Sequence, residues 1–142
     1  MPPADRSQHH TKGHHRTRRD HAQETAEDYV EAVAELIDRD GEARVTALAE
    51  RFGVSHVTVT RTVDRLVEEG LLETEPRRPI YLTRKGTRLA EQSRERHEIV
   101  YAFLIALGVQ PKIAALDAEG IEHHVSPETL ALFRAFLEDQ AQ

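Results

Sequence analysis

Residues 117–124 read Asp-Ala-Glu-Gly-Ile-Glu-His-His, and three of them have the types and spacing of a ligand set. Glu119, Glu122 and His123 stand at i, i+3 and i+4, which on a helix puts two carboxylates and an imidazole on one face. Around that face the run is apolar, with Ile113, Ala114, Ala115, Leu116 and Ile121. Carboxylate oxygens converging with a neutral imidazole, and no thiol, suit a divalent metal of the manganese, iron or zinc group. Taken alone, the same triplet also describes an acidic, solvated helix face. His124 adjoins His123 but points about 100° away around a helix, as a packing residue or a support for a ligand would.

A second pair of carboxylates stands far upstream. Asp28 and Glu31 are three residues apart near the start of a helix predicted over 25–39, where Tyr29, Val30, Val33, Leu36 and Ile37 recur at helical spacing and Gly41 supplies a stop. The helix dipole accounts for some acid at that end. The charge distribution makes the pair more interesting. The formal net charge of −6 divides into +3 over residues 1–21, −6 over 22–40, +2 over 41–94 and −5 over 95–142. If the two acidic segments meet in the fold, they repel unless a cation lies between them.

The chain is 142 residues long, enough for one domain or two small ones with a real core. It has no cysteine, so it has neither a disulfide framework nor a thiolate metal site. No apolar run approaches the roughly 20 residues needed to span a bilayer, and the polar N-terminus lacks the apolar stretch of a signal peptide. A cytoplasmic protein without a membrane partner is expected. Residues 1–23 read as a disordered arm in which His9, His10, His14, His15 and His21 stand among basic residues. Its histidines could hold metal loosely, and Arg16, Arg18 and Arg19 could reach DNA phosphates.

The basic middle has the punctuation of a DNA reader. Residues 46–53 give a short helix closed by Gly53, and Ser55 caps a second helix to about Glu69 with Val59, Val63 and Leu66 inward. Helix, glycine turn, capped helix is the helix-turn-helix pattern. Two strands follow, Leu71–Glu75 and Ile80–Leu82, around Pro76-Arg77-Arg78-Pro79, and a hairpin behind a recognition helix is a wing. Ser55, His56, Val57, Thr60 and Arg61 lie at the outward N-terminal part of the second helix, where base edges are read. Arg61 suits bidentate pairing with guanine, while Val57 and Thr60 suit a thymine methyl. Arg65, Arg77 and Arg78 are better placed for phosphates, which fix register rather than sequence. Thr83 then caps a long helix to Leu107, Pro111 opens the metal-bearing helix, and Ser126-Pro127 starts a last one with Leu130, Phe133, Phe136 and Leu137 on one face. These last helices are too short and too apolar to make a core alone, and look built to pack against a second copy.

The runs His97-Glu98-Ile99-Val100, Phe103-Leu104, Leu107-Gly108-Val109 and Asp117–Ser126, with Asp28-Tyr29-Val30-Glu31, Gly53-Val54-Ser55 and Thr58-Val59, closely resemble the manganese transport regulators. These are metal-dependent repressors within the diphtheria-toxin-repressor family, and the resemblance covers about residues 24–137 in one register. It implies a mainly α fold: a winged helix-turn-helix DNA-binding domain over 24–83, then an α-helical metal-binding and dimerisation domain over 84–142. No SH3-like domain is expected. It further implies a site for two Mn(II) ions per subunit, with Asp28 and Glu31 from the first helix, His97 from the long helix, and Glu119, Glu122 and His123 from the next. Glu98, beside His97, either supports that site or is simply solvated. Iron-responsive relatives carry Met and Cys at the positions of Asp28 and Glu119. Two hard oxygen donors there favour manganese, with Fe(II), Co(II), Zn(II) or Cd(II) as possible substitutes. The expected partners are a palindromic double-stranded operator and a second copy of the chain, with no small organic substrate and no enzymatic activity. An iron- or zinc-responsive repressor of the same family is the first alternative; a winged-helix repressor with an organic effector and a dinuclear metal hydrolase are the others. Neither of these last two explains both the six matching positions and the helix-turn-helix.

Overall fold

The computed structural model describes residues 6–142, with side chains described from Arg18 onward. Six helices and one hairpin follow in the order α1 (Arg6–Asp40), α2 (Val45–Phe52), α3 (His56–Glu68), β1 (Leu72–Glu73), β2 (Tyr81–Leu82), α4 (Arg84–Ala106), α5 (Pro111–Ile121) and α6 (Pro127–Gln140).

The first helix departs from the sequence reading. Its backbone is helical from Arg6, where a disordered arm through residue 23 is expected. No proline interrupts residues 6–40, and turns already nucleated by core packing from Ala26 onward can be extended upstream without a new nucleation cost. Residues 1–5 and the side chains of His9, His10, His14, His15 and Arg16 lie outside the described residues; Arg18, Arg19 and His21 are exposed.

From Ala26 the helix is amphipathic in the expected way. Ala26, Tyr29, Val30, Val33 and Leu36 form one buried stripe against Leu48 and Ala49 of α2, Val59, Val63 and Leu66 of α3, and Leu71, Leu72 and Ile80 of the wing. Tyr29 stacks on Phe52 with ring centroids 4.6 Å apart. Between α2 and α3, Gly53 takes the left-handed conformation at φ 64°, and Val54 N–H bonds back to the Ala49 carbonyl at 3.1 Å. Ser55 then caps α3 by accepting from Thr58 N–H at 3.1 Å.

The wing is antiparallel, with Leu72 opposite Leu82 and Glu73 opposite Tyr81, and Ile80 bridges to Ala43. Its strands are shorter than Leu71–Glu75 and Ile80–Leu82. Pro76 and Pro79 have no N–H to donate, and Arg77 turns the tip at φ 66°. Thr83 caps α4, accepting from Gly86 N–H at 3.0 Å while donating to the Gly70 carbonyl at 2.6 Å. That contact brings the first turn of α4 against the chain entering the wing, so closely that a Cβ on Gly86 would fall 2.0 Å from the Leu71 carbonyl oxygen.

Helix α4 is the spine of the second half, packed on α1, α5 and α6. Phe103 stacks on Phe133 at 3.9 Å and meets Phe136 edge-on at 5.4 Å. No residue of α6 is fully buried, and Leu107, Ile113, Leu116, Ile121 and Leu132 are exposed. Among the described residues, no helix is long and apolar enough to cross a membrane.

Candidate metal centre and DNA-reading face

The two acidic segments do meet. Asp28, Glu31, His97, Glu119, Glu122 and His123 all line one cleft of about 780 Å³ between α1, α4 and the end of α5, together with Glu24. Helix α1 supplies Glu24, Asp28 and Glu31 at i, i+4 and i+7, hence from one face. Helix α4 supplies His97 from its midpoint, where the ring runs parallel to Tyr101.

The third contribution comes from a turn rather than from a helix. Helix α5 stops at Ile121, so Glu122 caps it and His123 and His124 form the turn that follows. The expectation of Glu119, Glu122 and His123 on a single helix is corrected to this extent. Pro127 disfavours helical backbone at Ser126, and the chain has only residues 122–125 in which to reverse before α6. Glu122 keeps right-handed helical angles, which preserves the convergence. Glu119 remains on α5, lines the cleft and is exposed.

Within the cleft, Glu122 faces both imidazoles. Its Oε2 lies 2.6 Å from His97 Nδ1 and its Oε1 3.4 Å from His123 Nε2. His123 Nε2 is also 3.2 Å from Asp28 Oδ1, while Nδ1, on the other side of the ring, is 2.6 Å from Glu27 Oε2. Burial disfavours charge on His123, but hydrogen bonds and charge from Asp28 and Glu27 prevail and push its pKa up to about 10. Burial, then the charges of Glu122 and Asp28, push Glu31 up to about 7. Burial likewise holds Glu122 above the ordinary carboxylate value, against the opposing pull of His97 and His123. One oxygen of Glu31, Oε1, is buried without a hydrogen bond of ordinary geometry, with the Ser93 hydroxyl near enough to draw its pKa down in part. A protonated imidazole thus stands against Asp28 and Glu122 in a cleft rich in carboxylates, and a buried carboxylate oxygen short of partners beside it is what a cation would satisfy. The residues present fit a divalent metal.

Two residues escaped the sequence reading. Glu24 offers a ligand atom that lies, with those of Asp28 and His123, inside a 4.8 Å cluster, and it also sits 3.5 Å from His124 Nε2. Glu27 is buried against His123. The i−4 spacing of Glu24 from Asp28 was the available signal; nothing local distinguished Glu27 from a solvated acid.

The DNA-reading candidates lie on α3 and the wing. His56, Val57, Thr60 and Arg61 are exposed on the first turns of α3, and Ser55 is occupied as its cap. A groove between α3 and the wing is lined by Thr60, Asp64, Arg77 and Arg78. Arg78 pairs with Glu75 at 3.4 Å at the exposed tip. Arg65 is less free than expected: it donates to the Ala22 carbonyl at 3.3 Å, because extended α1 passes within its reach, and pairs with Glu69 one turn on at 3.6 Å.

Fold and cleft together define a winged-helix DNA-binding protein with a metal-responsive helical module. The chain belongs to the iron-dependent repressor family, as the sequence resemblance implied: residues 21–80 match the family's N-terminal DNA-binding domain and residues 83–142 its metal-binding and dimerisation domain. It is 50% identical over 127 residues to the transcriptional regulator MntR of Escherichia coli O157:H7, covering 89% of this chain and 82% of that protein. Against the Listeria monocytogenes regulator MntR (serotype 4a strain HCC23) it is 40% identical over 100 residues, or 70% of each chain. Among solved structures, the manganese regulator SloR superposes with a TM-score of 0.69 at 30% identity, covering 80% of this chain and 53% of that one. A manganese-dependent transcriptional repressor complexed with manganese gives a TM-score of 0.71 at 30% identity, covering 80% and 52%. The chain therefore spans about half the length of those two structures.

Proposed function

We propose that this protein is a manganese-responsive transcriptional repressor, not an enzyme, acting in the cytoplasm as a homodimer on a palindromic operator and turning down manganese uptake. The observation that carries the reading is the convergence of six matched residues from three parts of the chain on one cleft that holds a buried carboxylate oxygen short of partners. Residues 24–83 act as the DNA-binding domain and 84–142 as the metal-binding and dimerisation domain, a division supported by the family matches ending at 80 and starting at 83. The exposed apolar residues of α5 and α6 support a second copy.

Asp28, Glu31, His97, Glu119, Glu122 and His123 would hold the metal, two ions per subunit, with Glu24 as a further candidate donor. Bound Mn(II) would supply the positive charge that offsets the clustered carboxylates. Without it, Asp28, Glu31, Glu119 and Glu122 repel across the joint between α1 and the α4–α5 module, relieved in part by His97, by the protonated His123 and by a proton on Glu31. Closing that joint fixes the position of α3, since α1 carries the core stripe on which α2 and α3 pack. A dimer reads two half-sites about 34 Å apart, or a multiple of that, only when both recognition helices keep a matching separation. A state favoured about 100-fold by the ligand gains roughly 2.7 kcal/mol, enough to shift such a population. Ser55, His56, Val57, Thr60 and Arg61 face base edges, while Arg77, Arg78 and, after exchanging its present partners, Arg65 face phosphates.

The family model's own description, an iron-dependent repressor, favours Fe(II) as the second reading. Operator retention titrated with Mn(II), Fe(II), Co(II), Zn(II) and Cd(II), with Ca(II) as control, separates the two. Glu122→Ala and His123→Ala should abolish Mn(II)-dependent retention while leaving a folded dimer. Unchanged retention in either variant refutes the metal assignment.

A further inference from the structure

Glu27 is 2% exposed, an unusual place for a carboxylate that is not itself a candidate ligand. Three donors meet it. Its Oε2 accepts from His123 Nδ1 at 2.6 Å, and its Oε1 accepts from Gln23 Nε2 at 3.1 Å and Arg96 Nη1 at 3.4 Å. The same Arg96 nitrogen donates to the backbone carbonyl of Glu122 at 3.4 Å. One ion pair, with Glu27 buried and Arg96 half-buried, therefore ties α1 and α4 to the turn that carries two candidate ligands. It does so from the far side of the His123 ring, whose Nε2 alone faces Asp28 and Glu122.

We propose that Glu27 is a positioning residue for metal binding: its carboxylate holds the His123 ring with Nε2 turned into the cleft and, through Arg96, holds the 122–124 turn against α1 and α4. This role rests on reading the cleft as a metal centre. An imidazole whose remote N–H is donated to a carboxylate is fixed in one tautomer and one orientation and is a stronger electron donor at its free nitrogen. Loss of such an outer partner weakens metal binding by about 10- to 100-fold. A buried ion pair with only a structural role would instead change stability and leave the affinity of the folded protein unchanged.

The test is calorimetric titration of the full-length protein with Mn(II), alongside the electron paramagnetic resonance of the bound ion. Glu27→Gln keeps the size and an acceptor oxygen but removes the charge. Its affinity for Mn(II) should fall at least about tenfold, with an altered resonance line shape and a dimer that still folds. Glu27→Asp, which keeps the buried charge beside Arg96 but withdraws it from Nδ1, gives a second variant should Glu27→Gln fail to fold, and it should weaken binding in the same direction. Wild-type affinity and line shape in either folded variant, with His123→Ala abolishing binding, overturn the positioning role and leave the metal centre standing. Failure of the unaltered protein to take up Mn(II) overturns both.

Discussion

Metal uptake at this cleft has to displace protons, and the number follows from the two groups that hold them. His123 is pushed up to about 10, so at neutral pH it is protonated and must lose a proton before Nε2 can act as a ligand. Glu31, raised to about 7, is half-protonated there. Binding at pH 7 should therefore release between about one and two protons, nearer two at pH 6 and nearer one at pH 8. Integrated over that interval, His123 contributes two decades of affinity and Glu31 one, so Mn(II) should bind about 1,000-fold more tightly at pH 8 than at pH 6. Glu122, also raised, adds to the effect on the acid side.

The metal-free protein should respond to pH in the opposite sense. Glu31 protonated in the fold favours folding at low pH, and that contribution is lost as pH rises from the ordinary 4.5 to about 7. His123 contributes fully below its ordinary 6.5 and loses its contribution as pH rises to about 10. Both terms make the metal-free fold weaker as pH rises, just where Mn(II) binds better. The assay is calorimetric titration at pH 6, 7 and 8 in buffers of different ionisation enthalpy, which yields the proton count directly. An affinity flat across that range, or release below about half a proton at pH 7, would refute the argument that a protonated His123 stands where the cation binds.

Other expectations separate the parts of the molecule. Arg61→Ala should lower operator affinity by the equivalent of about 1–3 kcal/mol and relax base preference at one position while leaving Mn(II) affinity intact; weakened metal binding in calorimetry would undo the separation of the two sites. Gly86→Ala should destabilise the fold by about 1–3 kcal/mol in denaturant melts, because the added Cβ meets a backbone oxygen that cannot move without shifting α4 from the wing; a wild-type midpoint would show that contact to be loose. Glu24→Ala should reduce Mn(II) affinity less than His123→Ala does, since the Glu24 carboxylate is shared with His124, whose Nε2 lies 3.5 Å away; an equal loss would make it a full ligand.

The amino-acid order alone determined much of this protein. Gly53, Ser55 and the apolar spacing of Val59, Val63 and Leu66 act through local conformation and periodicity, and the helix-turn-helix appears where they put it. The same holds for Thr83, Gly108 and Ser126-Pro127, whose capping and stop signals operate within a few residues. The residue types around Glu122-His123 raised metal chemistry as one reading, beside that of a solvated acidic face. Tertiary structure decided what depends on contacts distant in sequence. Helix α5 gives way to a turn before Glu122, and Arg65 is engaged by the Ala22 carbonyl 43 residues away. Glu27 and His123 are separated by 96 residues, and the burial that makes one carboxylate a brace and leaves another, Glu31, holding a proton exists only once α1, α4 and the turn enclose them. Hydrogen-bond geometry and dielectric surroundings are properties of the assembled cleft, so no spacing along the chain could have assigned them.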